Sequence, residues 1–441
     1  MMRVCACVVA GVALGLLAPP VSAQETPIAF VGARVIPVAG EEIPRGVVVV
    51  HRGRIVAVGA EGSVPVPPDA LRRDVSGKVL MPGLVDTHSH IGGVQGADAS
   101  APIQPEVRAL DAINVADSAL QKAQAGGITT VNVMPGSGHL LSGQTAYLKL
   151  RDRKTIDELL LTTERGVTGG MKMANGTNSR RPPPFPGTRA KSAALVREQY
   201  VKAREYRKKL AEAEADPKKA PARDLGLEAL GEVLDGKRIV HFHTHRHDDV
   251  LTALRLAEEL GFRVVLQHVS DAWKVAPQIA ASRQVVGSSI IVVDAPGGKL
   301  ETADVSFGNG AALEKAGAPF GFHTDDGIVD SRFFRREAGL AIRAGLSREK
   351  AIEGLTLAGA RMLDLSSRVG SLEKGKDADL VVLSGDPFSV YTNVLETWVE
   401  GEKVFDRGDP KDRLYAVGGF GASHDSQGHL DAHVEAEEET R

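Results

Sequence analysis

Apolar and polar positions alternate in short blocks at both ends of this chain and in longer strand-then-helix units between them. Ile28-Ala29-Phe30-Val31, Gly46-Val47-Val48-Val49-Val50 and Arg54-Ile55-Val56-Ala57-Val58 are separated by glycine and charged turns, which predicts short β-strands as far as Val79. A second β-rich piece covers residues 378–383 and 396–405, the latter reading as a hairpin that turns at Glu400-Gly401. In the middle, residues 127–133 read as a buried strand. Residues 248–260 carry apolar positions at helical spacing, with Asp248 as N-cap and Gly261 just past the end, and residues 263–268 return as a strand. Strand–helix–strand order with compact connections predicts an α/β protein with a parallel sheet, and at this length a closed (β/α)8 TIM-like barrel. The two β-rich ends suggest one small β-sandwich built from both.

One region breaks the pattern. From Gly176 to about Asp235 the chain holds a Pro-rich stretch, Arg180-Arg181-Pro182-Pro183-Pro184-Phe185-Pro186-Gly187, and then a strongly charged helical stretch from Ala190 to Ala215. This exceeds an ordinary barrel connection. The charged part reads as solvated helix, whereas the Pro-rich loop follows a candidate active-site strand and suits either a lid or decoration. After Asp409 come His424, His429 and His433 and an acidic run from Glu435 to Glu439, read as a flexible tail. The expected boundaries are a signal peptide over 1–23, the first half of the sandwich over 24–80, the barrel over 81–367 with an insertion at about 176–235, the second half of the sandwich over 368–408, and the tail over 409–441.

With 441 residues, 43% of them hydrophobic, the chain can bury a large core. A formal net charge of −3 argues for neither a nucleic-acid nor an anionic-membrane partner. Arg3, the apolar stretch from Val4 to Ala18 and Val21-Ser22-Ala23 form a secretory signal, too short for a confident membrane span, with a retained anchor as the alternative. Both cysteines, Cys5 and Cys7, lie inside it, so cleavage leaves no disulfide and no thiolate ligand. The expectation is an exported protein, periplasmic or secreted, with no membrane association after cleavage. A homo-oligomer is left open.

Candidate chemistry gathers where apolar strands end in polar residues. Met81-Pro82-Gly83-Leu84-Val85-Asp86-Thr87-His88-Ser89-His90 carries two histidines one residue apart, which an extended strand places on one face as half of a divalent-metal site. Lys172 stands inside the apolar Met171-Lys172-Met173-Ala174. Buried, it would need a partner or chemical alteration; the plain alternative is an exposed lysine on a strand edge. His241, His243, His245 and His247 put four histidines in seven residues, the first three alternating on one face. His268 closes an apolar strand, where a lone histidine is as often a hydrogen-bonded structural residue. Phe320-Gly321-Phe322-His323-Thr324-Asp325-Asp326 ends the last strand with a carboxylate pair. Asp325 suits metal binding and proton transfer, and capping of the following helix is open to Asp326.

The Pro-Gly-Leu-Val-Asp lead into His-x-His, the order His-x-His, Lys, His, His, Asp, and Gly-Lys-Asp-Ala-Asp-Leu-Val at 375–381 resemble the binuclear-metal amidohydrolase superfamily. The similarity is strongest to its imidazolonepropionase-like and exported dipeptidase-like branch and spans nearly the whole mature chain. The resemblance implies zinc, two ions or one, with His88 and His90 on one metal, His243 and His268 on the other, Asp325 completing the first and Lys172 bridging as a carbamate. His243 is taken as the ligand with His245 as its substitute, and whichever is free could steady the oxyanion. Arg180, Arg181 and His323 are placed as substrate-binding residues. The implied reaction is hydrolysis of a C–N bond in a small molecule, an N-acyl amino acid or dipeptide, by metal-activated hydroxide with Asp325 as acid and base. A cyclic-amide hydrolase and a non-catalytic binding protein are the alternatives.

One departure bears on that choice. Similar exported amidohydrolases often read Met-Ala-Leu-Gly-Glu-Asn-Pro-Lys where this chain reads Met173-Ala174-Asn175-Gly176-Thr177-Asn178-Ser179-Arg180, so Thr177 replaces a glutamate. If that glutamate bridges in this branch, the site here is mononuclear; if Lys172 bridges, the change touches only the substrate loop.

Overall fold

The computed structural model describes residues 25–94, 98–293 and 299–418. The expected signal peptide, Cys5, Cys7 and the three tail histidines lie outside them. The N-terminal strands are β1 (Ile28–Val35), β2 (Ile43–His51), β3 (Arg54–Ala60), β4 (Leu71–Asp74) and β5 (Val79–Pro82). The middle supplies β6 (Leu84–Ser89), β7 (Ile128–Val133), β8 (Leu141–Gln144), β9 (Ala146–Lys149), β10 (Met171–Ala174), β11 (Val240–Thr244), β12 (Val264–His268), β13 (Val285–Ile290) and β14 (Phe320–Phe322). The C-terminal strands are β15 (Leu380–Leu383), β16 (Val394–Val399) and β17 (Glu402–Asp406).

The two chain ends meet in one eight-stranded sheet, ordered β17-β16-β15-β5-β1-β2-β3 with β4 on β1. The join is β5, which pairs parallel to β1 and antiparallel to β15, setting Leu80 opposite Val382 and Met81 opposite Val381. The two ends expected to build a sandwich share one ladder, because β5 bonds on both sides. Phe30, Val48, Val50, Leu80, Leu380 and Trp398 fill one face, with Phe30 and Trp398 edge to face at 5.1 Å. Ala29, Val47 and Val49 are buried on the other. Burial on both faces explains why Val47 to Val50 is an unbroken apolar run. The β16–β17 hairpin turns at Glu400-Gly401 as expected, both with positive φ.

Two more sheets carry the site. One is ordered β14-β13-β12-β11-β10-β8 and the other β6-β7-β9. The pairs from β10 to β14 are parallel, as is β6 with β7. A closed, all-parallel (β/α)8 ladder is expected, but the described strands differ. Residues 141–149 run antiparallel to both neighbours, broken at Thr145, with β9 on β7 and β8 on β10. At the far edge β6 and β14 approach through single bonds: Asp325 N donates to the His88 carbonyl at 2.9 Å and Thr87 Oγ1 to the Phe322 carbonyl at 3.2 Å.

Helices cover the outside. The helix His247–Leu260 ends at Gly261 with φ 73°, as expected, but Arg246 stands at its N-cap and Asp248 and Asp249 fall in its first turn. There their charge meets the positive end of the helix dipole. The charged stretch forms the helix Arg189–Ala215, and it is not wholly solvated: Ala193, Val196, Tyr200, Ala203 and Tyr206 make a buried stripe at helical spacing. The start of the expected flexible tail is also ordered, as the helix Pro410–Val417 capped by Asp409. Among the described residues no helix is long and apolar enough to cross a membrane.

Candidate metal centre

Five strand ends converge. His88 lies in β6 and His90 just beyond it, their Nε2 atoms 3.3 Å apart. Each imidazole has an oxygen behind it. His88 Nδ1 is 3.3 Å from Gln267 Oε1, and His90 Nδ1 is 2.7 Å from the Met134 carbonyl. Those bonds keep a proton on Nδ1 and turn the Nε2 lone pairs inward, the usual arrangement behind metal-binding histidines. Asp325 completes this group, with Oδ1 3.0 Å from His90 Nε2 and 3.4 Å from His88 Nε2.

A second group comes from β11 and β12. His243, His245 and His268 offer nitrogens within 4.8 Å of one another, so both His243 and the alternative His245 lie within reach of the same point. His245 Nδ1 is 2.8 Å from Ser270 Oγ. His241, deeper on the same face, is engaged on both nitrogens, by Tyr147 Oη at 3.0 Å and Gln267 Nε2 at 3.1 Å, and belongs to the wall. His323 is expected on the substrate side, yet the structure buries it fully. It stacks on His88 with centroids 4.9 Å apart, and its Nε2 lies 3.1 Å from His268 Nδ1. His88, His268 and His323 form a third close triad, so by geometry His323 groups with the candidate ligands.

Lys172 is fully buried in β10, its Nζ 3.3 Å from His88 Nε2 and 3.0 Å from Met134 Sδ. Of the two readings open for this lysine, buried or exposed on a strand edge, the structure has the first. Burial lowers its pKa to about 7, against the weaker pull of Asp325. Burial likewise drives His88, His243 and His268 well below the ordinary imidazole value, helped by like charges around them. Neutral imidazoles at physiological pH are the ligating form. For Asp325 burial works upward, but the His90 hydrogen bond and the charges of His90, His323 and Lys172 override it and hold the carboxyl well below its usual range.

The backbone is strained at these positions. His268 (φ 69°) and Asp325 (φ 48°) adopt left-handed conformations, a cost of roughly 1–3 kcal/mol each that surrounding structure must impose. For Asp325 the restraint is visible. Asp86 in β6 accepts from Thr324 N at 3.1 Å and Thr324 Oγ1 at 2.6 Å, fastening the residue before Asp325 to the strand that bears His88. Burial lifts Asp86 to about 7 despite those bonds. In the sequence Asp86 stands out only as the last residue of the Pro-Gly-Leu-Val-Asp lead. Gln267 and Ser289, which orient His88 and His323, were missed; a polar residue inside an apolar strand was the available signal. Asp326 holds the next turn by accepting from Ser331 N at 2.9 Å, while Asp330 caps it.

The expected substrate residues lie on the loop after β10. Arg180 Nε donates to the Gly176 carbonyl at 3.1 Å. Arg181 donates to the Gly138 carbonyl and lies over Phe185, 4.3 Å from the ring centroid. Among the described residues neither arginine is hydrogen-bonded to the clustered histidines, but their loop reaches them: Asn178 Nδ2 is 3.4 Å from His243 Nε2. Thr177 is exposed and is engaged through its backbone, the N–H donating to Glu301 Oε2 at 2.7 Å and the carbonyl accepting from Arg180 N at 3.1 Å.

A divalent cation fits this donor set. Two buried imidazole nitrogens, His243 Nδ1 and His268 Nε2, have no hydrogen-bond partner among the described residues. Such groups are costly unless something binds them, and one cation would satisfy both.

Comparisons with known proteins agree. Residues 79–405 match the amidohydrolase family. The chain is 27% identical over 395 residues to an amidohydrolase, tasK, of Hapsidospora irregularis, covering 82% of this chain but only 40% of that one. It is 26% identical over 384 residues to an imidazolonepropionase of Symbiobacterium thermophilum, covering 78% and 84%. The crystal structure of an amidohydrolase from Thermotoga maritima superposes with a TM-score of 0.81 at 34% identity, over 86% of this chain and all of that one.

Proposed function

The chain belongs to the amidohydrolase family of metal-dependent C–N hydrolases, and from that premise we propose that this member hydrolyses an amide bond in a small carboxylate-bearing substrate, an N-acyl amino acid or a dipeptide. The observation that carries the reading is the pair of histidine groups, His88–His90–Asp325 and His243–His245–His268, with buried Lys172 against the first. His88, His90 and Asp325 would hold one zinc ion and His243 and His268 a second, with His323 adjoining both through His88 and His268. Zinc bound there supplies Lewis-acid polarisation of the scissile carbonyl and lowers the pKa of water.

The chain's own residues do the rest. Asp325, held ionised, accepts the proton of the attacking water and delivers it to the leaving nitrogen. Lys172 has no carboxylate partner within ion-pair distance among the described residues, and as an amine near its pKa at neutral pH it can add carbon dioxide. The carbamate, formed with loss of one proton to solvent, would put an anion beside His88, where it could serve as a metal ligand. His245 faces the same space, and with Ser270 Oγ–H donating to its Nδ1 it carries its proton on Nε2 and can donate to the oxyanion that forms. On the loop side Arg181 grips the substrate carboxylate. His139 lies beside it, buried, its pKa lowered to about 4 by burial and the Arg181 charge against the opposing pull of Asp98. Closure of the strands into one (β/α)8 wall, and export to the periplasm or medium after cleavage at Ala23, belong to the same reading.

The test is a panel of N-acyl amino acids, dipeptides and cyclic amides assayed with zinc-replete protein, with metal content measured alongside. Turnover confined to substrates with a free carboxylate, lost in Arg181→Ala, supports the proposal. Turnover of cyclic amides alone would favour the second reading, for which the imidazolonepropionase relatives speak.

A further inference from the structure

Each imidazole of the two groups leans on a neighbour, and the neighbour decides which nitrogen is free. Oxygens stand behind His88, His90 and His245, and His323 stands behind His268. For His243 the neighbour is Asn178, whose Nδ2 position lies 3.4 Å from His243 Nε2 and 3.0 Å from Ser137 Oγ. The other nitrogen of the ring, Nδ1, is the buried one without a partner.

A neutral imidazole carries one proton. If a cation takes Nδ1, that proton sits on Nε2, and the group facing it must accept. An amide N–H cannot. The carboxamide of Asn178 can, because rotation by a half turn exchanges its oxygen and nitrogen without changing its shape. The oxygen then lies where two donors converge, His243 Nε2–H and Ser137 Oγ–H, and uses both lone pairs. In the opposite orientation His243 keeps its proton on Nδ1, a buried N–H with nothing to receive it.

We infer that Asn178 is a positioning residue for metal uptake, its carboxamide oxygen holding His243 in the tautomer whose Nδ1 is free to bind. The inference rests on reading the site as a metal centre. It predicts that an acceptor at position 178 is required and that an amide N–H there is not.

Zinc affinity measured by chelator competition on wild type, Asn178→Leu and Asn178→Asp tests this, with ring-nitrogen NMR of histidine-labelled protein as a second readout. Asn178→Leu should bind zinc about 10–100-fold more weakly, the scale for losing a partner behind a metal-binding histidine, with the melting midpoint of metal-free protein near wild type. Asn178→Asp, which still accepts, should retain wild-type affinity. In zinc-loaded wild type the His243 proton should be found on Nε2. Unchanged affinity in Asn178→Leu, equal loss in both variants, or a proton on Nδ1 overturns the inference and leaves the metal centre standing. Wild-type protein that takes up no zinc overturns the metal centre itself.

Discussion

Asp325 Oδ1 lies 3.0 Å from His90 Nε2, and Asp86 fastens Thr324, the residue before it. The carboxylate is thus held at the mouth of the first histidine pair by backbone as well as side chain. Replacing Asp325 with asparagine keeps the shape and removes the basic oxygen. Turnover should fall by at least about a hundredfold, the scale for a positioned acid and base, with folding unchanged by circular dichroism. Near-normal turnover would move proton transfer to another group.

Lys172 decides the metal count. If Lys172 is carboxylated as proposed, wild type should carry about two zinc ions per chain and Lys172→Ala about one or fewer, because the variant lacks the anion that would offset the second cation's charge. Short-chain carboxylic acids should partly restore activity to the variant. Equal zinc in both proteins would take Lys172 off the ligand list.

The same lysine should leave a mark on stability in metal-free protein. Its folded pKa, near 7, lies below the ordinary value of 10.5, so between those values the unfolded chain binds more protons than the folded one. Stability from this residue therefore rises as pH increases from about 7 towards 10. The melting midpoint of wild type relative to Lys172→Met should climb across that window. A flat difference would mean that Lys172 is not desolvated as the structure has it.

A second buried lysine ties the halves of the molecule together. Lys149, at the end of β9, places Nζ 2.7 Å from Asp377 and 2.6 Å from Asp379, at the entry to β15, and all three side chains are buried. Lys149→Ala leaves Asp379 buried without its cation and strips one of three from Asp377, and should destabilise by about 3–5 kcal/mol, the range for breaking a buried pair from one side. Urea denaturation measures it directly. A loss under 1 kcal/mol would show that Arg54 and Arg368, which also reach Asp377, suffice.

Truncation before Gly370 removes β15 to β17 and uncovers the edge of β5, with Leu80 and Met81 facing solvent. The fragment should be insoluble, because an apolar edge strand seeks another partner. A soluble, active fragment ending near Arg368 would show that β15 is dispensable to β5.

Local rules reached far here. Alternation and turn residues suffice for the terminal strands, because strand periodicity and the Glu400-Gly401 turn are written within a few residues. His88, His90, His243, His268 and Asp325 were legible because each ends an apolar strand, a pattern of chain position alone. What needed the tertiary structure is whatever depends on neighbours distant in sequence. The antiparallel course of residues 141–149 follows from pairing with β7 and β10 at once. The continuity of the terminal sheet follows from β5 bonding on both sides. His323 reads as a substrate residue from its place in the chain and becomes part of the histidine cluster only when His88 stacks on it. The roles of Asn178, Gln267 and Asp86 are not legible in any motif, for a hydrogen bond across 65, 179 or 238 positions is a fact of packing. Residue types and order follow from the sequence, but which nitrogen of each imidazole is free is decided by the group that folding sets behind it.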